Sequence, residues 1–177
     1  MRAVVVYESM YGNTHLIAEA IGAGLHDVGE VAVVPVGGAT EAMRAGVDLL
    51  VVGGPTHMHA MSREVTRTGA VEAARKPANP LELDPDAEGV GLREWFDATD
   101  ALTTKAAAFD TRMSGPPAFT GRASKGIAKR LHKHGCELVA EPESFLVTKQ
   151  DRLVDHEEQR AREWGAQLAV ALAPATT

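Results

Sequence analysis

Residues 3–7 form an unbroken apolar run rich in valine, the pattern of a strand buried on both faces of a parallel sheet. A polar turn fills 9–14. From Thr14 onward Ile17, Ala20, Ile21, Gly24 and Val28 recur at helical spacing. Residues 31–36 read as a second strand, broken by Gly37 and Gly38, with a short helix expected from Thr40. Residues 47–52 give a third strand, which Gly53, Gly54 and Pro55 are expected to end abruptly. The stretch 56–88 is long for a connection, as lids and binding segments are. A helix is expected within it over 61–75, and irregular chain over 76–86, which holds three prolines.

Residues 91–99 read as a helix and 105–110 as a fourth strand. Residues 124–134 predict a helix with Ile127, Ala128 and Leu131 inward. Residues 137–147 predict a fifth strand. Pro142 interrupts it and places it at a sheet edge, where a missing N–H is tolerated. The helix over 155–172 has the clearest stripe, with Ala161, Trp164, Gly165, Leu168 and Leu172 inward and a capping-box-like pair, Asp155 and Glu158, at its start.

Five alternations of strand and helix predict an α/β fold: a doubly wound, five-stranded parallel sheet with helices on both sides, three layers in all. The 177 residues suit one domain spanning 1–177, with 56–88 as a long loop or insertion. Ligands of such sheets bind at the carboxyl ends of the strands, which directs attention to the loops starting at Ser9, Gly54 and Thr111.

Composition narrows the function. A formal net charge of −6 argues against nucleic acid as the main partner. No apolar run is long enough for a membrane span, and the chain enters its first strand with no signal-peptide pattern. The single cysteine, Cys136, excludes an internal disulfide or a cysteine-based zinc cluster and fits a reducing, cytoplasmic setting; its simplest role is a small buried hydrophobe.

The candidate chemistry begins at Ser9-Met10-Tyr11-Gly12-Asn13-Thr14, between the first strand and first helix. Free backbone N–H groups and the helix dipole make such a turn an anion site. Ser9 and Thr14 add hydroxyls, Asn13 an amide, and Gly12 permits a left-handed turn. With no lysine or arginine in the loop, a phosphate would be held by neutral dipoles. A tight turn that binds nothing is the alternative. Other nucleotide motifs fail: the chain has no Gly-x-x-x-x-Gly-Lys-Ser/Thr, no Gly-x-Gly-x-x-Gly after its first strand, and no acidic pair placed as in a phosphoryl receiver.

The run Val5-Val6-Tyr7-Glu8-Ser9-Met10-Tyr11-Gly12-Asn13-Thr14, followed by Ala18 and Ile21, resembles the flavodoxin signature. The resemblance implies a flavodoxin-like sheet of order 2-1-3-4-5, with Ser9 to Thr14 around the phosphate of one FMN. Gly53-Gly54-Pro55-Thr56-His57-Met58-His59-Ala60-Met61-Ser62 resembles the family's first ring-binding loop, and especially that loop in the flavodoxin-like NAD(P)H:quinone oxidoreductases. By that analogy Pro55 and Thr56 lie near the ribityl chain, and His57 and Met58 flank the ring. One-electron carriers of the family usually have a glycine in this loop and an aromatic side chain over the ring; positions 57–60 hold no glycine. His57 and His59, without a nearby carboxylate or cysteine, make a weak metal signal, and no metal is expected.

Phe109-Asp110-Thr111-Arg112-Met113-Ser114-Gly115-Pro116-Pro117 stands where the family has its second ring-binding loop. The resemblance puts Asp110, Thr111, Arg112 and Met113 at the flavin. Arg112 would stabilise reduced, anionic flavin, or else point to solvent or pair with Asp110. Phe119 is a candidate ring cover. Arg122, Lys125, Lys129, Arg130 and Lys133 fall in a stretch without acids. It is either a solvated helix face or a docking face for an acidic partner or the phosphates of NADPH.

These expectations amount to an FMN-binding electron-transfer protein that works between a partner reductase and an acceptor, with no side chain acting as acid or base. An NAD(P)H-dependent quinone reductase is the alternative, and a flavodoxin-like module without cofactor is a third reading.

Overall fold

The computed structural model describes residues 1–76 and 81–172. Part of the proline-rich stretch expected to be irregular therefore lies outside the described residues, as does the side chain of Val28. β1 (Arg2–Tyr7) leads through the polar turn into α1 (Asn13–Gly24), then β2 (Glu30–Pro35), α2 (Glu41–Arg44) and β3 (Leu49–His57). β4 (Ala60–Met61), α3 (Glu64–Ala74) and α4 (Leu92–Asp97) follow. The chain continues through β5 (Lys105–Met113), α5 (Pro117–Thr120), α6 (Ala123–Lys133), β6 (Glu137–Leu138), β7 (Glu143–Val147) and α7 (Glu157–Leu172).

The sheet runs β2-β1-β3-β5-β6, with β7 also paired to β5. β6 and β7 are one edge strand broken around Pro142, as the proline required, so the five positions follow the expected order 2-1-3-4-5. All pairs are parallel except β3–β4.

Alternation along β1 divides the core. Val4 and Val6 join Leu50, Val52, Leu92, Trp95, Ile127 and Leu131 on one face. Ala3, Val5 and Tyr7 join Ile17, Ile21, Phe109, Phe145, Trp164 and Leu168 on the other. α1 and α7 touch backbone to backbone: a Cβ on Gly165 would stand 2.4 Å from the Ile21 carbonyl oxygen.

Two strands outrun their sequence signals. β3 continues through Gly53-Gly54-Pro55 to His57 instead of ending there. β5 passes Asp110 to reach Met113, with Gly53 opposite Phe109 and Pro55 opposite Thr111. Gly53 does not break the strand because its bare Cα makes room for the Phe109 ring, which a Cβ would meet at 2.2 Å. The last helix, α7, starts at Glu157, beyond Asp155, so the expected pair of Asp155 and Glu158 does not frame its first turn. The Glu157 carboxylate instead accepts the Leu146 N–H at 2.8 Å and pairs with Arg160 at 2.6 Å.

Candidate functional site

The carboxyl ends of β1, β3, β5 and β7 converge on a cleft of about 190 Å³ lined by Met10, Tyr11, Asn13, Thr14, Pro55, Thr56, His57, Thr111, Arg112, Met113, Val147 and Asp151. Its first wall is the turn before α1. Gly12 sits at the N-cap with φ +86°, a left-handed conformation that a Cβ would strain, and its N–H donates to the Ser9 hydroxyl at 3.2 Å. Among the described residues, the N–H groups of Met10, Tyr11, Asn13, Thr14 and His15 have no acceptor, so five amide donors cluster at one helix start. Thr14 and Thr111 share a buried hydroxyl–hydroxyl hydrogen bond of 2.7 Å, which joins this wall to β5.

The long segment after β3 braces the turn from behind. Tyr11 donates its hydroxyl to the Ala70 carbonyl at 3.0 Å, and the Asp84 N–H donates to the Met10 carbonyl at 2.8 Å. His15 contacts the Asp84 carboxylate at 3.2 Å and stacks on Tyr7. Met10, Val71 and Ala87 form a small core of their own, so this stretch is a packed support for the loop.

The second wall is the β3–β4 hairpin, closed by the two-residue turn Met58-His59 with φ of +44° and +74°. Tight hairpins demand left-handed residues, normally Gly, Asn or Asp. Here two side-chain-bearing residues take the strain, on the order of 1–2 kcal/mol each. An isolated parallel bridge between His59 and Gly121 ties the turn to the end of α5. Thr56 accepts the Ala123 N–H at 2.9 Å and donates to Asp110 at 3.2 Å. The His57 imidazole is held below its ordinary pKa, first by burial and then by the nearby Arg67.

Arg112 and Met113 form the third wall, at the end of β5. The Arg112 side chain belongs to a residue only 9% exposed. Its guanidinium donates to the carbonyls of Met113 (3.3 Å) and Gly115 (2.9 Å) and to the Thr120 hydroxyl (2.9 Å). Its Nε has no partner, and no carboxylate pairs with it among the described residues. Neither alternative expected from the sequence, solvent or Asp110, is what it contacts.

Five residues expected at the site stand off the cleft's lining. Ser9 supports Gly12 from within the turn, and Gly12 shapes the backbone. Asp110 is fully buried and accepts the Ser124 N–H at 2.7 Å, so it fixes α6 and Thr56. Burial raises its pKa, as it does that of Glu8, whose carboxylate accepts the Leu92 N–H at 2.8 Å. Met58 is 84% exposed and Phe119 78% exposed, both outside the cleft wall. Cys136 is buried, and its thiol donates to the Leu102 carbonyl at 3.1 Å.

Val147 and Asp151 carried no sequence signal as site residues. Asp151 belongs to the turn after β7, at φ +52°, and burial raises its carboxyl pKa. Its position was implied by the rule that binding loops follow strand ends, applied to the edge strand as well.

No family model matches this sequence, and no curated protein matches it. Solved structures do match. An archaeal flavodoxin aligns at 20% identity over 97% of this chain and 99% of its own, with a TM-score of 0.64. Oxidised Flavodoxin 1 from Bacillus cereus aligns at 21% identity, 98% of this chain and 100% of its own, TM-score 0.67. The WrbA-like flavodoxin of Agrobacterium tumefaciens aligns at 20% identity, 97% and 96% coverage, TM-score 0.53. The chain has the flavodoxin-like fold. Among the described residues no helix is long and apolar enough to cross a membrane.

Proposed function

We propose that the chain is one flavodoxin-like domain that binds one FMN non-covalently at the carboxyl edge of the sheet and passes electrons through it in the cytoplasm. The observation that carries this reading is the cluster of unpaired amides at the start of α1, with no cationic side chain in the turn. Such a cradle suits a phosphate dianion held by charge-assisted hydrogen bonds. The residues present fit the group. Gly12 already holds the left-handed geometry, the Thr14 and Thr111 hydroxyls lie beneath, and the small cleft suits a phosphate and ribityl chain. Exposed Met113 gives the lining an apolar surface for a ring. Solved neighbours of full-length coverage bear the name flavodoxin, which supports the same reading.

Bound FMN supplies one- and two-electron redox chemistry at its ring. The protein's part is to bind and tune. The turn before α1 holds the anionic end, the hairpin and the 113–120 segment flank the other end, and Arg112 adds a positive field. Burial, and then Arg67, disfavour a positive charge on His57.

An electron carrier serving a reductase and an acceptor enzyme is the favoured role. A direct NAD(P)H:quinone reductase has one specific observation for it: the Met58-His59 turn is left-handed without glycine, so this peptide lacks the ease of rearrangement associated with one-electron carriers. Purified protein carrying FMN in one-to-one ratio supports the shared core of both readings. Rapid NAD(P)H consumption with a quinone and no second protein selects the reductase; its absence selects the carrier.

A further inference from the structure

α6 spends its inner face on the core, with Ala123, Ser124, Ile127, Ala128 and Leu131 buried. Its other side borders a cleft of about 400 Å³, separate from the flavin cleft, whose lining includes Arg93, Arg122, Lys129, Arg130 and Lys133. Its floor is small and apolar: Ala60, Met61 and Gly126, where a Cβ would meet the Met61 side chain at 3.3 Å.

Five cations in one concavity of a chain with net charge −6 need an explanation. Only Arg130 is neutralised by a carboxylate among the described residues, that of Asp97, at 2.5 Å. Arg93 donates to the neutral carbonyls of Met61 and Ser62, and Arg122 to the Ser144 hydroxyl and the Pro142 carbonyl. Lys129 and Lys133 are exposed and have no ion-pair partner among the described residues. Burial first, and then Arg63 and Arg130, lower the proton affinity of Arg93, against the opposing pull of Glu94 and Asp97. Concave walls focus such a field and favour anions over an open cationic face.

The arrangement also limits the anion's shape. From Arg122 to Lys133 the cations extend along roughly 16 Å of helix, at 1.5 Å per residue. Neither one phosphate nor one pyrophosphate reaches both ends, so a nucleotide that carries a further anionic group beyond its pyrophosphate meets more of the row than either ion alone. The floor strand β4 is paired to the end of β3, whose Thr56 and His57 line the flavin cleft, so the two clefts flank one hairpin.

We infer that this groove binds the phosphates of a pyrophosphate-bearing nucleotide, the class that includes the reduced nicotinamide dinucleotides, and so places such a ligand beside the flavin cleft. The location beside a redox site rests on the FMN reading; the anion site itself does not.

The test uses the full-length protein with FMN added, titrated calorimetrically with inorganic pyrophosphate and then with NADPH. Both should bind, compete with each other and weaken with salt. The double variant Lys129→Glu/Lys133→Glu, at exposed positions that should fold normally, should lose about tenfold or more in both affinities and keep its FMN affinity. Pyrophosphate that fails to bind at millimolar concentration overturns the inference, and an acidic protein partner then becomes the better occupant. Binding unchanged in the double variant, or NADPH that pyrophosphate does not displace, overturns it as well. Absence of nucleotide binding with FMN retained refutes this inference alone. Pyrophosphate binding without FMN binding refutes the flavin reading alone.

Discussion

The Asn13 side-chain amide donates to the Asp151 backbone carbonyl at 2.8 Å, joining two residues 138 positions apart in sequence. The first residue of α1 is thereby tied to the turn after the edge strand, and the two close one end of the cleft. Asn13→Ala should cost about 1 kcal/mol, the usual value of one such bond. Urea unfolding should show that loss, and hydrogen exchange should accelerate over 148–153. An unchanged exchange pattern there would show that the bond does not hold the turn.

The hairpin turn gives a stability prediction with an unusual sign. Met58 is exposed and left-handed, so Met58→Gly removes strain at the cost of a more flexible unfolded chain. Relief of strain outweighs the added flexibility, and a net gain of about 0.5–1 kcal/mol is expected. Thermal unfolding of the ligand-free protein is the measurement. A clear loss of stability would mean that Met58 contributes packing that its exposure conceals.

His57 should leave a mark on the pH dependence of stability. Its folded pKa lies below its ordinary value because protonation would place a charge in a buried site near Arg67. Between the folded pKa and about 6.5 the unfolded chain therefore binds more protons than the native one. Stability from this group is full above pH ~6.5 and falls as the pH drops towards the folded pKa. His57→Gln should flatten that part of the profile. A profile identical to that of the parent protein would exclude the role.

Arg112 carries a buried positive charge with no carboxylate beside it among the described residues. Arg112→Ala should make the flavin harder to reduce, by about 30 mV for a two-electron couple, equivalent to ~1.4 kcal/mol. Arg112→Lys should restore part of the shift, because it keeps the charge and loses the forked contacts to Gly115 and Thr120. Reductive titration against reference dyes measures both. A potential unmoved by either change would leave Arg112 as a brace for the 113–120 segment only.

How far the sequence could be read depended on how local the determining physics was. The valine run of β1, the stripe of α7 and the turn from Ser9 to Thr14 are set by nearby residues, and each folds where its pattern pointed. Pro142 marked the broken edge for the same reason. Gly53 and Asp110 misled because their roles are set across the sheet. A glycine read as a strand end accommodates the ring of Phe109, and an acid expected at the ligand anchors the N-terminus of α6. Asp151 carried no motif of its own; only its place after the edge strand pointed to it, and the tertiary fold brings it to Asn13. The 56–88 stretch gave its length but not its task, which depends on contacts from Ala70 and Asp84 to the turn before α1.

Everything proposed for the cleft rests on free amides at the start of α1 gripping a phosphate. Comparing FMN with riboflavin, which differs only in lacking that phosphate, tests it most directly. Fluorescence titration of the ligand-free protein should give one FMN per chain, with affinity at least about a hundredfold above that for riboflavin, as two or more charge-assisted hydrogen bonds imply. Equal affinities for the two flavins, or no binding of either, would contradict the account.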